Sequence, residues 1–327
     1  MSIPKIYVLH ENDEWTAPLE RELSALGSPF ECWHLDAGSL ALDVPPPAGI
    51  FYSRMSASAH TRDHRYAPEF TAAVLRWLQA HKRTVLNGAE VLALEVSKVA
   101  QQSALNMVGI VTPRTIAAVG REHILAAARS FDGVCILKHN RGGKGLGVHK
   151  FDDAQAVEAY LDGPAFEAPI DGIMLVQAYI RAPKPYITRC EFIGGEFLYA
   201  LRVNTEDGFE LCPADFCVPS SAVCAVDEQA ATTTPKFEIV TDVPTALIDQ
   251  YRTFLKANDI AVAGIEFIVD EDGLAYTYDV NTNTNYNSGA EQRAGHNAMA
   301  GIARFLTREL ARASGTLEPL RAVGGTL

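Results

Sequence analysis

Over the first hundred residues, short apolar runs alternate with stretches whose apolar residues recur at helical spacing. Ile6-Tyr7-Val8-Leu9 reads as a strand, and Leu19, Leu23 and Leu26 form a stripe on one helix face. Phe30 to Leu35 predicts a second strand. After the break at Pro45-Pro46-Pro47 comes a third, Ile50-Phe51-Tyr52. Phe70, Ala73, Val74, Trp77 and Leu78 then follow the i, i+3, i+4, i+7, i+8 pattern of an amphipathic helix, and Val85-Leu86 is a fourth strand. Strands alternating with helices imply a mostly parallel sheet, so residues 1–97 read as a small doubly wound α/β domain.

The pattern changes at Lys98. A helix runs to Met107, a short strand lies near Thr115, and a second helix spans Arg121 to Arg129. Strand Val134–Lys138, a glycine-rich turn, strand Val148–Phe151, helix Asp153–Leu161 and strand Met174–Ile180 complete this region, 98–183. Pro183 and Pro185 cannot continue a regular element, which marks Arg181–Pro185 as a connector. Beyond it, in 184–327, Cys190–Arg202 reads as a hairpin around Gly194-Gly195. Residues 246–257 read as a helix, Gly264–Val280 as a hairpin around Asp272-Gly273, and His296–Arg312 as a closing helix. Residues 206–240 carry no clear pattern.

Composition narrows the function classes. With 48% hydrophobic and 21% charged residues, the 327-residue chain is an ordinary globular protein. Its 28 basic against 40 acidic residues give a net charge of −12, which disfavours nucleic acid and anionic lipid as partners. The segment MSIPKIYVLHEND lacks the features of a secretory signal, and no run approaches the ~20 apolar residues of a membrane helix, so a cytoplasmic location is expected. Six scattered cysteines form no disulfide framework. The closest three, Cys212, Cys217 and Cys224, lack metal-ligand spacing.

Two segments carry chemistry. In Lys138-His139-Asn140-Arg141-Gly142-Gly143-Lys144-Gly145-Leu146-Gly147-Val148, a strand ending in lysine enters a loop with four glycines before a second strand. Glycines let backbone N–H groups converge on an anion, while Lys138 and Lys144 add charge. A plain glycine hairpin explains the turn equally well. The loop is not a P-loop or a dinucleotide fingerprint, because a strand and not a helix follows. In the hairpin from Ile265 to Asn281, pairing of Val269 with Leu274 would set Glu266 opposite Thr277. Thr277, Asp279 and Asn281 would then share its face. Two carboxylates and an amide are hard oxygen donors of the kind Mg²⁺ takes at a nucleotide site, and a solvated acidic face is the simpler alternative. The run Asn281-Thr282-Asn283-Thr284-Asn285-Tyr286-Asn287 is rich in amides, as a site wall would be.

Lys98 at a helix start, Ile136-Leu137-Lys138 before the glycine loop, Leu175-Val176-Gln177-Ala178-Tyr179-Ile180, and Glu266, Asp279 and Asn281 together resemble the ATP-grasp superfamily over residues 98–313. The chain is most similar to the carboxylate-amine ligase branch that includes the ribosomal-protein glutamate ligases. The resemblance implies an ATP-grasp fold behind a small doubly wound α/β domain, with ATP and Mg²⁺ as cofactors. It also implies the joining of a carboxylate to an amine through an acyl phosphate. Lys98 and Lys138 match the lysines that reach ATP phosphates. Gly142, Gly143, Lys144, Gly145 and Gly147 match the closing loop, and Gln177, Ala178, Tyr179 and Ile180 the strand that reads adenine. Arg189 and Arg202 match basic positions near the transferred phosphate, with a salt bridge as the alternative for Arg202. Glu266, Asp279 and Asn281 match the metal ligands.

The chain departs from the family pattern in having Ala178 after the strand glutamine, Ile187 two before Arg189, and Thr282-Asn283-Thr284-Asn285 after the metal-site asparagine. The glutamate ligases' acceptor segment is also absent from 203–224, which points to a different substrate; the acidic surface and Arg54 suggest an amino acid or small peptide, with a protein C-terminus as the alternative. Arg54 ends a predicted parallel strand, where such sheets bind ligands, and is expected to hold a substrate carboxylate. His60, Arg62 and Asn87 are weaker candidates, and Asn283, Asn285 and Asn287 would shape the acceptor pocket. A small-molecule kinase on the same fold and a non-catalytic nucleotide-binding protein are the rival readings. A homo-oligomer is left open.

Overall fold

The computed structural model describes residues 3–143, 145, 147–206 and 236–315. Lys144, the 207–235 segment and the three cysteines at 212, 217 and 224 lie outside the described residues; Cys32, Cys135 and Cys190 are free thiols. In the first sheet β1 (Lys5–His10), β2 (Phe30–His34), β3 (Gly49–Ser53) and β4 (Thr84–Leu86) are parallel, in the order β2-β1-β3-β4. Its central strands are apolar at successive positions because both faces are covered: Val8, Leu9, Ile50 and Phe51 are fully buried. Helices α1 (Asp13–Ala25), α2 (Ala67–Ala80) and α3 (Ala89–Glu95) accompany it. Asn12 caps α1 by accepting from the Trp15 N–H. Leu26, expected on the buried stripe, instead follows the helix as its C-cap and is exposed.

Helix α4 (Lys98–Met107) leads into a four-stranded antiparallel sheet. Its strands β5 (Thr115–Ala118), β6 (Cys135–His139), β7 (His149–Phe151) and β8 (Met174–Ala178) run in the order β5-β8-β6-β7. Helices α5 (Arg121–Arg129) and α6 (Ala154–Leu161) pack Leu125 and Val157 onto Leu137 and Val176. The third sheet is antiparallel, in the order β11-β10-β9-β12-β13. It is built from β9 (Tyr186–Ile193), β10 (Glu196–Asn204), β11 (Phe237–Val240), β12 (Val262–Val269) and β13 (Ala275–Asn281). Phe192 and Phe267 on one face pack against Phe254 of α7 (Thr245–Ala257). Tyr199 and Val203 on the other join α9 (Ala298–Ala313), which follows α8 (Ser288–Ala294), and residues of β1 and β3 in a single core. No helix among the described residues is long and apolar enough to cross a membrane.

The register of β12 and β13 differs from the expected one. Phe267 pairs with Thr277, Glu266 pairs with Asp279, and Tyr278 is the extra residue of a bulge between them. A bulge reverses which face the following residues present. Thr277 therefore turns into the core, where its hydroxyl is 2.7 Å from the Tyr251 hydroxyl, and does not share the face of Glu266. Asp279 and Asn281 do.

Candidate active site

The three sheets and the Arg181–Pro185 connector enclose a cavity of about 540 Å³. At one end, Glu266, Asp279 and Asn281 converge. Asn281 Nδ2 lies 3.3 Å from Glu266 Oε1 and 3.4 Å from Asp279 Oδ2. Two carboxylates and an amide oxygen on adjacent rigid strands form a donor set suited to Mg²⁺. Asp279 is ion-paired with Lys98, the first residue of α4. Burial pushes Asp279 up, but Lys98 and Lys138 outweigh it and hold its pKa below the usual value. Glu266 is raised by burial and by Asp279, against the pull of Arg189.

Two further cations face this set. Lys138 is buried near the end of β6, and desolvation together with Lys98 pushes its pKa down to about 7, against Asp279 and Glu266. Arg189 on β9 donates through Nη1 to Glu266 at 3.1 Å and through Nε to Glu191 at 2.5 Å. Its side chain crosses Gly264, where any Cβ would overlap the guanidinium. Burial raises Glu191 to about 7 despite Arg189.

The opposite end is apolar. Ile136, Ile187 and Ile268 line it with Ala178, Tyr179, Ile180 and the connector residues Ala182, Pro183 and Pro185, and its polar groups are Gln177 and Lys184. Gln177 is fixed by a 2.9 Å hydrogen bond from its Nε2 to Thr115 Oγ1, and the Ala178 N–H is already given to Arg114 O. Gly142, Gly143 and Gly145 form part of the wall. Gly145 and Gly147 have φ of +75° and +70°, the left-handed region that favours glycine, although Gly147 sits against His139 outside the lining. From the segment that follows β3 come Ser56, Ala57 and Ser58, beside Trp15, Asn283 and Asn285.

Several expected residues lie elsewhere. Arg54 is buried behind this wall and its Nη2 is 3.0 Å from both Thr284 O and Asn285 Oδ1. The guanidinium thus holds the asparagine turn and does not line the cavity. Arg202 is ion-paired with Asp242 at 2.5 Å and lies over the Tyr186 ring, also outside the lining. Asn87 bridges Val262 O and Thr282 O, His60 Nδ1 is 3.2 Å from Ala57 O, Arg62 pairs with Glu11, and Asn287 caps α8.

Among the lining residues that the sequence did not single out, Glu95 and Gln101 tie the wall together. Glu95 accepts from the Ala57 N–H, the Thr282 N–H and the Thr282 hydroxyl, joining the first-sheet wall to the asparagine turn. Gln101 brackets Val280, accepting from its N–H at 3.0 Å and donating to its carbonyl at 2.8 Å. Its position three residues after Lys98 on one helix face was the available signal. The helix that carries Glu95 left none.

No family model and no curated protein sequence matches the chain. Solved structures do. The ligase PsnB, complexed with a minimal precursor, Mg and ADP, aligns with a TM-score of 0.63 at 17% identity, over 95% of this chain and 99% of PsnB. A RimK domain protein from Sphaerobacter thermophilus aligns at 0.63 and 18% identity over 92% and 98%, respectively. The chain has the ATP-grasp fold. The D-cycloserine synthetase DcsG gives 0.62 at 13% identity over 93% of this chain and 99% of DcsG. In an ATP-grasp frame the hard oxygen set, the three cations and the apolar slot occupy a single cavity.

Proposed function

We propose that this protein is an ATP-dependent carboxylate-amine ligase acting on an amino acid or small peptide. The observation that carries this reading is the meeting of Lys98, Lys138 and Arg189 with Glu266, Asp279 and Asn281 in a cavity whose far end is apolar. Such a cavity suits a ligand with a polyphosphate at one end and a flat base at the other. PsnB and the macrocyclase MdnC, another ATP-grasp structure, are seen with precursor peptides, which supports a peptide-like substrate here.

In this reading residues 98–183 and 184–327 form two lobes around ATP. The base lies against Ile136, Ile187 and Ile268, and Lys138 and Lys98 receive the phosphates. Mg²⁺ held by Glu266, Asp279 and Asn281 would offset phosphate charge. A substrate carboxylate oxygen attacks the γ-phosphorus, ADP leaves, and the amine then attacks the acyl carbon with loss of phosphate and a proton. Arg189 faces the transferring group and stabilises charge developing on its oxygens. Its pairing with Glu191 and Glu266 fixes its direction before substrate arrives. Gly142, Gly143, Gly145 and Gly147 would close over the phosphates and exclude the water that hydrolyses an acyl phosphate.

The test is ADP release with Mg-ATP across a panel of amino acids and dipeptides, for wild type and Asp279→Ala, with products weighed by mass spectrometry. A product of mass acid plus amine minus water, absent with the variant, is expected. A stable phosphorylated substrate would replace this reading with a kinase, and ATP binding without turnover on any acid or in cell extract would replace it with a non-catalytic role.

A further inference from the structure

A second cluster of ligating side chains lies at the first sheet, outside the cavity. Strands β1 and β2 both end in histidine, and their parallel register sets His10 beside His34, with the rings stacked at 5.1 Å. The chain returns at His64, whose ring meets that of His34 edge-on at 5.8 Å. His34, Asp36 and His64 each offer a ligand atom, and these atoms lie within 4.8 Å of one another. None of the three lines the cavity.

Histidine neighbours of this kind also occur as simple stacked pairs, but the surroundings here are those of a built site. Glu11 is a fully buried carboxylate with both oxygens committed. It receives Arg62 at 2.6 and 3.1 Å and His64 Nδ1 at 2.7 Å. A carboxylate only accepts, so this bond is given by Nδ1, and in the neutral imidazole Nε2 is then the nitrogen with a lone pair to offer. That nitrogen is 3.9 Å from Asp36 Oδ2, too far for a hydrogen bond and within the span of two ligands that each lie ~2.0–2.2 Å from one ion. A carboxylate that orients a histidine through its second nitrogen is the usual support of a metal-bound imidazole.

An independent observation comes from His10. It is 3% exposed, and its Nδ1 has no hydrogen-bond partner. That atom faces Asp13 Oδ1 at 3.8 Å, and the same oxygen is 3.5 Å from His34 Nδ1. His10 is not among the three residues whose ligand atoms meet; it extends the imidazole stack beside them.

We propose that His34, Asp36 and His64 bind a divalent transition-metal ion of the zinc class, with Glu11 as the positioning residue for His64. Two imidazoles and one carboxylate select such an ion over Mg²⁺ or Ca²⁺, which prefer oxygen alone. Three protein ligands leave a fourth position for water or an exogenous group. The site is therefore distinct in chemistry and in place from the oxygen set of Glu266, Asp279 and Asn281. It is linked to the cavity wall through Arg62, which holds Glu11, donates to Ser58 Oγ at 3.2 Å and lies over Trp15.

The experiment uses tag-free full-length protein, stripped with a chelator and kept in excess Mg²⁺ so that the oxygen set is occupied. Zn²⁺ binding is followed by calorimetry and Co²⁺ binding by its visible absorption spectrum. One equivalent of each is expected, with a Co²⁺ spectrum of low coordination number. Affinity should fall by about ten-fold or more in His34→Ala, Asp36→Ala and His64→Gln, and by about ten- to a hundred-fold in Glu11→Gln. The first two variants alter partly exposed side chains and should keep the wild-type circular dichroism, which keeps the test valid if Glu11→Gln fails to fold. Asp279→Ala should bind Zn²⁺ as wild type does. Unchanged Zn²⁺ binding in His34→Ala and Asp36→Ala, no binding by wild type, or loss of binding in Asp279→Ala would each overturn the assignment.

Discussion

The Lys98 ammonium donates to a carboxylate oxygen of Asp279, joining the first residue of α4 to β13 across 181 positions of chain. The cation proposed to meet a phosphate and the carboxylate proposed to meet a metal ion thus neutralise each other in the free protein. On the proposed reading, loading the site with Mg-ATP would exchange this pair for two new ones. Lys98→Met should therefore weaken ATP binding by about ten- to a hundred-fold, the worth of a charge-assisted hydrogen bond. Calorimetry with a non-hydrolysable analogue reads this directly, and an unchanged Kd would remove Lys98 from the phosphate site.

Lys138 gives the site a pH dependence with a definite sign. Its pKa is pushed down to about 7 by burial and by Lys98, so above pH 7 the free protein carries it increasingly neutral. A bound polyphosphate favours the charged form, and binding above that pH takes up a proton. Affinity then falls as pH rises from about 7, by up to about ten-fold per unit, and is independent of this group below it. Lys138→Arg stays charged throughout, so the difference between the two proteins isolates the lysine from the nucleotide's own titration. Parallel profiles from pH 6 to 9 would show that Lys138 does not meet the phosphates.

Gly264 controls Arg189 without touching a ligand itself. The guanidinium lies across its backbone, held from both sides by Glu191 and Glu266, and a methyl group there would occupy the same space. Gly264→Ala should displace Arg189 and lower the rate of ADP release on the order of 10²-fold. ATP affinity should change far less, because Lys98 and Lys138 are untouched. Equal losses in kcat and in ATP affinity would mean that the substitution disturbs the whole site.

How far the site was legible in the sequence depended on periodicity. The two-residue alternation of Ile265, Phe267 and Val269 placed Glu266 on the face away from the core, where it lines the cavity, and the lysine before four glycines marked the end of β6. Thr277 was misplaced because a bulge leaves no trace in an alternating pattern: Tyr278 enters the strand as one more residue and turns its neighbours over. Glu95 was not visible because its partners are groups of Ala57 and Thr282 brought in from distant segments, and Gln101, placed on the face of Lys98 by spacing, finds its partner Val280 only in the fold. Arg202 is the converse case. The sequence leaves it open between a phosphate contact and a salt bridge, and the partner that decides, Asp242, lies 40 positions further on.

Arg54 tests whether the structure corrects the sequence in the right direction. A strand-end arginine suggests a carboxylate anchor, yet here it is 2% exposed and its Nη2 is 3.2 Å from Trp15 O and 3.0 Å from both Thr284 O and Asn285 Oδ1. It joins α1 and the end of β3 to the asparagine turn from behind. Arg54→Met retains much of the volume but leaves those oxygens without their donor. Stability should fall by about 2–4 kcal/mol, read by urea unfolding, in line with the loss of hydrogen bonds from a charged group. The folded fraction should bind ATP normally, and KM for the acid should rise only modestly, through the loosened Asn285. Unchanged stability with KM for the acid raised about a hundred-fold would instead restore Arg54 as the anchor of the substrate carboxylate.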